Sequence, residues 1–217
     1  MQAPGIVLLP GRQGGAWGER DGDDDDDHGH HGPGGSVVAA AAGHATSDGH
    51  LWLDPVNARA IARQAAQALG QIDPENRGRY LANAAALAAR IDLLDAELKA
   101  TLGPVRSSPF VVFHDAYQYF EKSYALNAVG SVAVSAERTP GARRVKEIRE
   151  TIRGLGARCV FSEPQFSSSI LGTLLEGTQT RAGTLDPLGA GVPAGPDAYF
   201  TLMNALGSSL ADCLRRH

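Results

Sequence analysis

One apolar stripe sets the scale of this fold. Leu87, Ile91, Leu94, Leu98 and Leu102 recur at spacings of four, three, four and four, which is one face of an α-helix. Asp73-Pro74-Glu75 supplies an N-cap and a proline at the first helical position, and Gly103-Pro104 stops the helix. From Pro74 to Leu102 it would run about 43 Å at 1.5 Å per residue. A helix that long crosses a whole small domain or joins two. Asp54-Pro55 opens another, Ala-rich helix that reaches Leu69, with Gly70 as its predicted end.

After residue 103 the pattern alternates. Short apolar runs predict strands at Phe110–Phe113, Ala128–Val134, Arg158–Ser162 and Gly183–Leu185. Helices are predicted at Tyr117–Leu126, Ala142–Leu155, Ser169–Thr178 and Asp197–Leu214. Buried strands alternating with helices define an α/β class with a mostly parallel sheet. Residues 10–49 read differently: glycines at 11, 14, 15, 18, 22, 29, 32, 34 and 35 interrupt any regular element. Val37–Ala42 is a short apolar patch of undecided state.

Charge narrows the function classes. The 217 residues carry a formal net charge of −4. Seven acids and one arginine within residues 19–31 account for −6, leaving the rest about +2. Such a balance does not fit a nucleic-acid binder, which shows a basic excess or stripe. No run of 18 apolar residues is present to span a membrane. The N-terminus has no basic region followed by an apolar stretch, so it does not read as a signal peptide. Taken as a genuine start, it implies a cytoplasmic protein. Cys159 and Cys213 are too far apart for a metal knuckle or a redox pair motif. They are either buried thiols in a reducing compartment or a disulfide in an oxidising one.

Three polar residues follow predicted strands: His114 after Phe113, Glu163 after Ser162 and Asp186 after Leu185. In an open parallel sheet, ligands bind outside the carboxyl ends of the strands. One imidazole and two carboxylates there suit a hard-to-borderline metal or an acid/base site. The same residues suit turn and N-cap work, since Pro164 and Pro187 follow the two acids. His50, at the mouth of a helix, is a further candidate ligand. His28, His30, His31 and His44 lie in or beyond the aspartate run and suit loose divalent binding, or simple solvation. Nucleophilic catalysis has no support: G-x-S-x-G is absent and Cys159 lies in an apolar strand. Neither a P-loop nor G-x-G-x-x-G after a strand is present.

Four motifs occur in order along the chain. An Asp/His-rich loop leads into His50-Leu51-Trp52-Leu53-Asp54-Pro55. After the long helix come Val112-Phe113-His114-Asp115-Ala116-Tyr117, Phe161-Ser162-Glu163-Pro164-Gln165-Phe166 and Thr184-Leu185-Asp186-Pro187-Leu188-Gly189. This combination resembles the zinc-uptake substrate-binding proteins of bacterial ABC transporters. The resemblance implies a two-lobed metal-type solute-binding protein with a long linking helix. The C-terminal lobe, residues 103–217, would be a mostly parallel sheet flanked by helices. Residues 73–102 would be the linking helix, and residues 1–72, with the loop at 19–49, an incomplete N-terminal lobe.

The same resemblance implies roles. His50 and His114 match the second and third metal-binding histidines, one from each lobe. Asp186 matches an acid that is a ligand in some relatives and a near neighbour in others. Glu163 would sit behind the metal and touch a ligand. His28, His30, His31 and His44 would capture zinc loosely, and Cys159 and Cys213 would form a disulfide. Manganese-type relatives carry a carboxylate at the position of His114, so imidazole there favours zinc. The protein would bind zinc as cargo and pass it to the membrane permease subunit of a zinc ABC transporter. It would be non-enzymatic and periplasmic. The family's first histidine ligand lies ahead of the loop, in a stretch that would precede residue 1. The resemblance therefore implies weaker zinc binding than in a complete relative, and exposed apolar surface near the N-terminus. Two rivals are a metal-dependent hydrolase using His114, Glu163 and Asp186 around an activated water, and a non-functional fragment.

Overall fold

The computed structural model describes residues 4–12, 17, 47–132, 142–164 and 168–215. The patch at residues 37–42 and the histidines 28, 30, 31 and 44 lie outside them, as does the end of the second predicted strand.

Asp54 caps the first helix as its sequence predicts. Its carboxylate accepts the Val56 N–H at 2.7 Å, and Pro55 stands at the first position of α1 (Pro55–Ile72). Gly70 does not end this helix. It lies buried inside it, where a Cβ would come within 2.8 Å of the Arg77 Cγ. Close packing of the turn into the next helix explains that glycine, and Asp73-Pro74 makes the stop. The long helix also starts later than its proline: Pro74–Asn76 forms a 3₁₀ turn, and α2 spans Arg77–Leu102. Its 26 residues extend about 39 Å. The stripe behaves as its spacing predicts, with Ile91, Leu94, Leu98 and Leu102 buried.

Among the described residues, β1 (Phe110–Val112), β2 (Ala128–Ser131), β3 (Cys159–Ser162) and β4 (Arg181–Thr184) form one parallel sheet in the order β2-β1-β3-β4. The intervening helices are α3 (Gln118–Tyr124), α4 (Ala142–Gly154) and α5 (Ser168–Leu175), with α6 (Ala198–Arg215) closing the chain. Side chains alternate across the pleat. Phe110, Val112, Cys159 and Phe161 face a core built with α2, α3 and α6. Val111 and Val160 face a second core built with α4 and α5. The result is three layers, with α1 laid against α2. Where α2 meets α6, Gly207 lets the helices approach: a Cβ there would collide with the Leu98 Cδ2.

A disulfide joins Cys159 in β3 to Cys213 in α6. Free buried thiols are therefore not the state of these cysteines. Near the N-terminus, the backbone of Val7 and Leu9 joins no strand ladder. Single bonds hold it: the Asn57 amide bonds both Val7 N–H and Val7 C=O, the Tyr119 hydroxyl accepts the Leu9 N–H, and the Leu9 carbonyl accepts the Asp48 N–H. Val7 and Leu8 are 46% and 40% exposed.

Candidate metal centre

The sheet order places the candidates before any side chain is considered. From β1 the chain moves to β2 on one side and then to β3 on the other, so strand order reverses between β1 and β3. A crevice opens at such a reversal, beyond the carboxyl ends of the strands. His114 leaves β1 at that point and Glu163 leaves β3. Asp186 leaves β4, the next strand over.

His50 reaches the same place from the other side. It precedes a 3₁₀ turn, Leu51–Leu53, that leads into α1. Trp52 ties this turn to the end of β4, its indole N–H donating to the Pro187 carbonyl at 3.0 Å. The His50 and His114 ring centres are 5.0 Å apart, edge to face. Two imidazoles sharing one tetrahedral zinc, at about 2.0–2.1 Å per nitrogen, have ring centres about 5 Å apart.

Each ring is backed by a carboxylate. Asp48 Oδ1 lies 2.7 Å from His50 Nδ1, and Glu163 Oε1 lies 3.2 Å from His114 Nδ1. Both carboxylates are buried while both rings reach solvent: the Glu163 side chain is 2% exposed and that of His114 49%. With Nδ1 engaged, Nε2 is the nitrogen each ring offers to a ligand. Beside Glu163, burial pushes the pKa of the Tyr117 hydroxyl far up, with the charges of Glu163 and Asp186 adding to the effect. Tyr117 thus stays protonated, within reach of the Leu185 carbonyl at 3.3 Å. The Glu163 hydrogen bond raises the pKa of His114 against the opposing effect of burial, and the charges of Glu163, Asp115 and Asp48 add to it.

Asp186 is placed differently. Its Oδ1 accepts the N–H groups of Leu188 and Gly189 at 3.2 and 2.8 Å, closing a turn. No group of three His, Cys, Asp or Glu side chains poised around one point is found among the described residues. The two histidines and Glu163 are brought together, and Asp186 stands at the neighbouring strand end.

Two features escaped the sequence reading. Asp48 is one; its signal is the Asp48-Gly49-His50 spacing, which lets a carboxylate fold back onto a backbone N–H two residues on. The other is Arg12, whose guanidinium pairs with Asp115 and with Glu121 at 2.7 Å and stacks on Trp17, 3.3 Å from the ring centroid. It fixes the loop that carries His114. Burial raises the pKa of Glu121, and Arg12 opposes that shift.

An open parallel sheet with two carboxylate-backed imidazoles at its switch point, beside a long helix, defines a metal-type solute-binding protein. The family model for zinc-uptake complex component A, periplasmic (ZnuA), matches residues 5–213, and the chain belongs to that family. It is 48% identical over 169 residues to the high-affinity zinc uptake system protein ZnuA of Brucella suis, covering 78% of this chain and 51% of that protein. Among solved structures, a ZnuA crystal structure is 28% identical with a TM-score of 0.66, covering 81% of this chain and 63% of that one. The laminin-binding protein Lbp of Streptococcus pyogenes is 30% identical with a TM-score of 0.64, covering 78% and 65%. The chain spans about half the length of the Brucella relative it matches. The family is one of substrate-binding proteins and is described as periplasmic. No described helix is long and apolar enough to cross a membrane.

Proposed function

We propose that this chain binds a zinc ion through Nε2 of His50 and Nε2 of His114, with Asp186 as a third donor. It delivers the ion to the membrane permease subunit of an ABC importer. The observation that carries this reading is the 5.0 Å approach of two imidazoles whose Nδ1 atoms are both held by carboxylates. His50 belongs to the N-terminal lobe, within residues 1–72, and His114 to the C-terminal lobe, residues 103–217. Residues 73–102 are the rigid link. A metal that needs a ligand from each lobe pins their relative position, which gives a permease a shape to recognise. The protein performs no chemistry on the ion: Glu163 is buried behind His114 and not set to activate a water. His28, His30, His31 and His44 collect zinc loosely. Family membership and the Cys159–Cys213 disulfide support a periplasmic site of action.

Zinc calorimetry tests this on the chain lacking residues 21–44, which removes the loop histidines. One site is expected, and His50→Ala with His114→Ala removes its heat. If no heat remains after loop deletion alone, the loop is the chain's only metal site and the reading fails.

A further inference from the structure

Asp48 is an expensive residue in its position. It is 6% exposed, and its Oδ2 has no hydrogen-bond partner among the described residues. A buried carboxylate with one unsatisfied oxygen costs stability. Its Oδ1, in contrast, accepts two bonds from one residue, the His50 backbone N–H at 2.9 Å and the His50 ring at Nδ1, 2.7 Å away. An uncharged Asn or Ser would satisfy the backbone N–H at a lower desolvation cost. The charge is therefore explained by the ring.

Geometry then dictates the state of that ring. A carboxylate oxygen and a bare imidazole lone pair cannot approach to 2.7 Å, so Nδ1 carries the proton, and in the neutral ring Nε2 then carries the lone pair. The main chain of Asp48 is fixed independently. Its N–H donates to the Leu9 carbonyl at 2.8 Å, and its carbonyl accepts the Tyr119 hydroxyl at 3.1 Å. The carboxylate is thus a rigid backstop and does not follow the ring.

We propose that Asp48 is a positioning residue for zinc capture: its buried carboxylate holds His50 in the Nδ1–H form and aims Nε2 at His114. This rests on the zinc reading above. Free neutral imidazole favours the Nε2–H form, which cannot bind a metal through Nε2. Without Asp48, that form has to be undone at each binding event. With it, the ring is pre-set and the charge-assisted bond makes Nε2 a stronger donor. Glu163 does the same for His114, so the two lobes carry matched pairs.

The test uses the intact chain with ¹⁵N-labelled histidine, free of metal, at a pH where the rings are neutral. His50 is expected to show a protonated Nδ1 and a bare Nε2. In Asp48→Ala it shifts toward Nε2–H while His114 keeps its form. Zinc affinity, read from the His50 Nε2 signal itself, falls about 10- to 100-fold. Asp48→Asn, which retains an acceptor without the charge, keeps Nδ1–H and loses less affinity. An Nδ1–H form that persists in Asp48→Ala overturns the proposal, as does Nε2–H in the wild type or unchanged zinc affinity in both variants. If Asp48→Ala does not fold, Asp48→Asn decides alone: reduced zinc affinity supports the proposal and wild-type affinity overturns it. Failure of the zinc reading is seen separately, as His50→Ala leaving the His114 response to zinc unchanged.

Discussion

Reduction of the Cys159–Cys213 bond removes a constraint whose size follows from its position. The bond closes a loop with a sequence separation of 54. The chain-entropy relation gives about 14 cal/mol/K for such a loop, or about 4 kcal/mol at 25 °C. For a chain of this size each kcal/mol moves Tm by roughly 2–4 °C, so reduction is expected to lower Tm by about 8–16 °C. Cys159 is fully buried in β3 and Cys213 is 9% exposed on α6, so the bond resists mild reductant until the fold opens. Urea unfolding of the oxidised protein, and of protein unfolded in reductant and refolded in it, measures the difference. A loss under about 1 kcal/mol refutes the loop-closure argument. Two titratable thiols in denatured, unreduced protein refute the bond itself, and with it the oxidising compartment.

Three further outcomes are expected. Tyr119→Phe deletes a hydroxyl that accepts from Leu9 N–H and donates to Asp48 C=O in a 1% exposed site; urea unfolding should show a loss of about 1–3 kcal/mol, and an unchanged midpoint sinks the claim that it fastens residues 9 and 48. Gly207→Ala should destabilise the wild type by about 1–3 kcal/mol through the clash with Leu98 but stabilise a Leu98→Ala background, where helix propensity alone remains; the same sign in both backgrounds contradicts the close helix contact. His114 should titrate above 6.5 in metal-free protein by NMR, and Glu163→Gln should bring it down. Because the folded value is the raised one, protonated His114 stabilises the fold fully below 6.5 and loses that contribution as pH climbs through the folded pKa. A wild-type value at or below 6.5 ends this account.

Much of the fold was legible because hydrophobic period is a local property. The stripe from Leu87 to Leu102 and the apolar runs at Phe110 and Cys159 lie where their spacing puts them. Strand ends were legible too, since parallel order follows from alternation, and that placed His114, Glu163 and Asp186 on one edge. Gly70 was misread because glycine serves both as a helix stop and as a place for close packing, and sequence does not separate the two. The ion pair of Arg12 with Glu121 was invisible: 109 residues separate the partners, and Arg12 lies in a glycine-rich segment. The meeting of His50 with His114 came from a resemblance, not from spacing, because nothing local reports which two loops a long helix brings together.

The field at His114 joins these observations. Glu163, Asp115 and Asp48 all favour a positive charge there, and the raised proton affinity of the ring is the measure of it. Arg12 answers Asp115 and Glu121, whereas Asp48 and Glu163 each face an imidazole. A field that draws one proton draws a dication with twice the charge, so if the site holds zinc as proposed, the same carboxylates that raise the pKa also strengthen that binding. Proton and metal then compete for one nitrogen. Zinc binding must weaken as pH falls below the raised pKa, although the field itself persists. Glu163→Gln separates the two effects. It lowers the pH at which protons displace zinc, yet it reduces the affinity reached once the ring is fully neutral. A purely structural Glu163 would move neither. A Glu163 acting only as a base would move the first without the second.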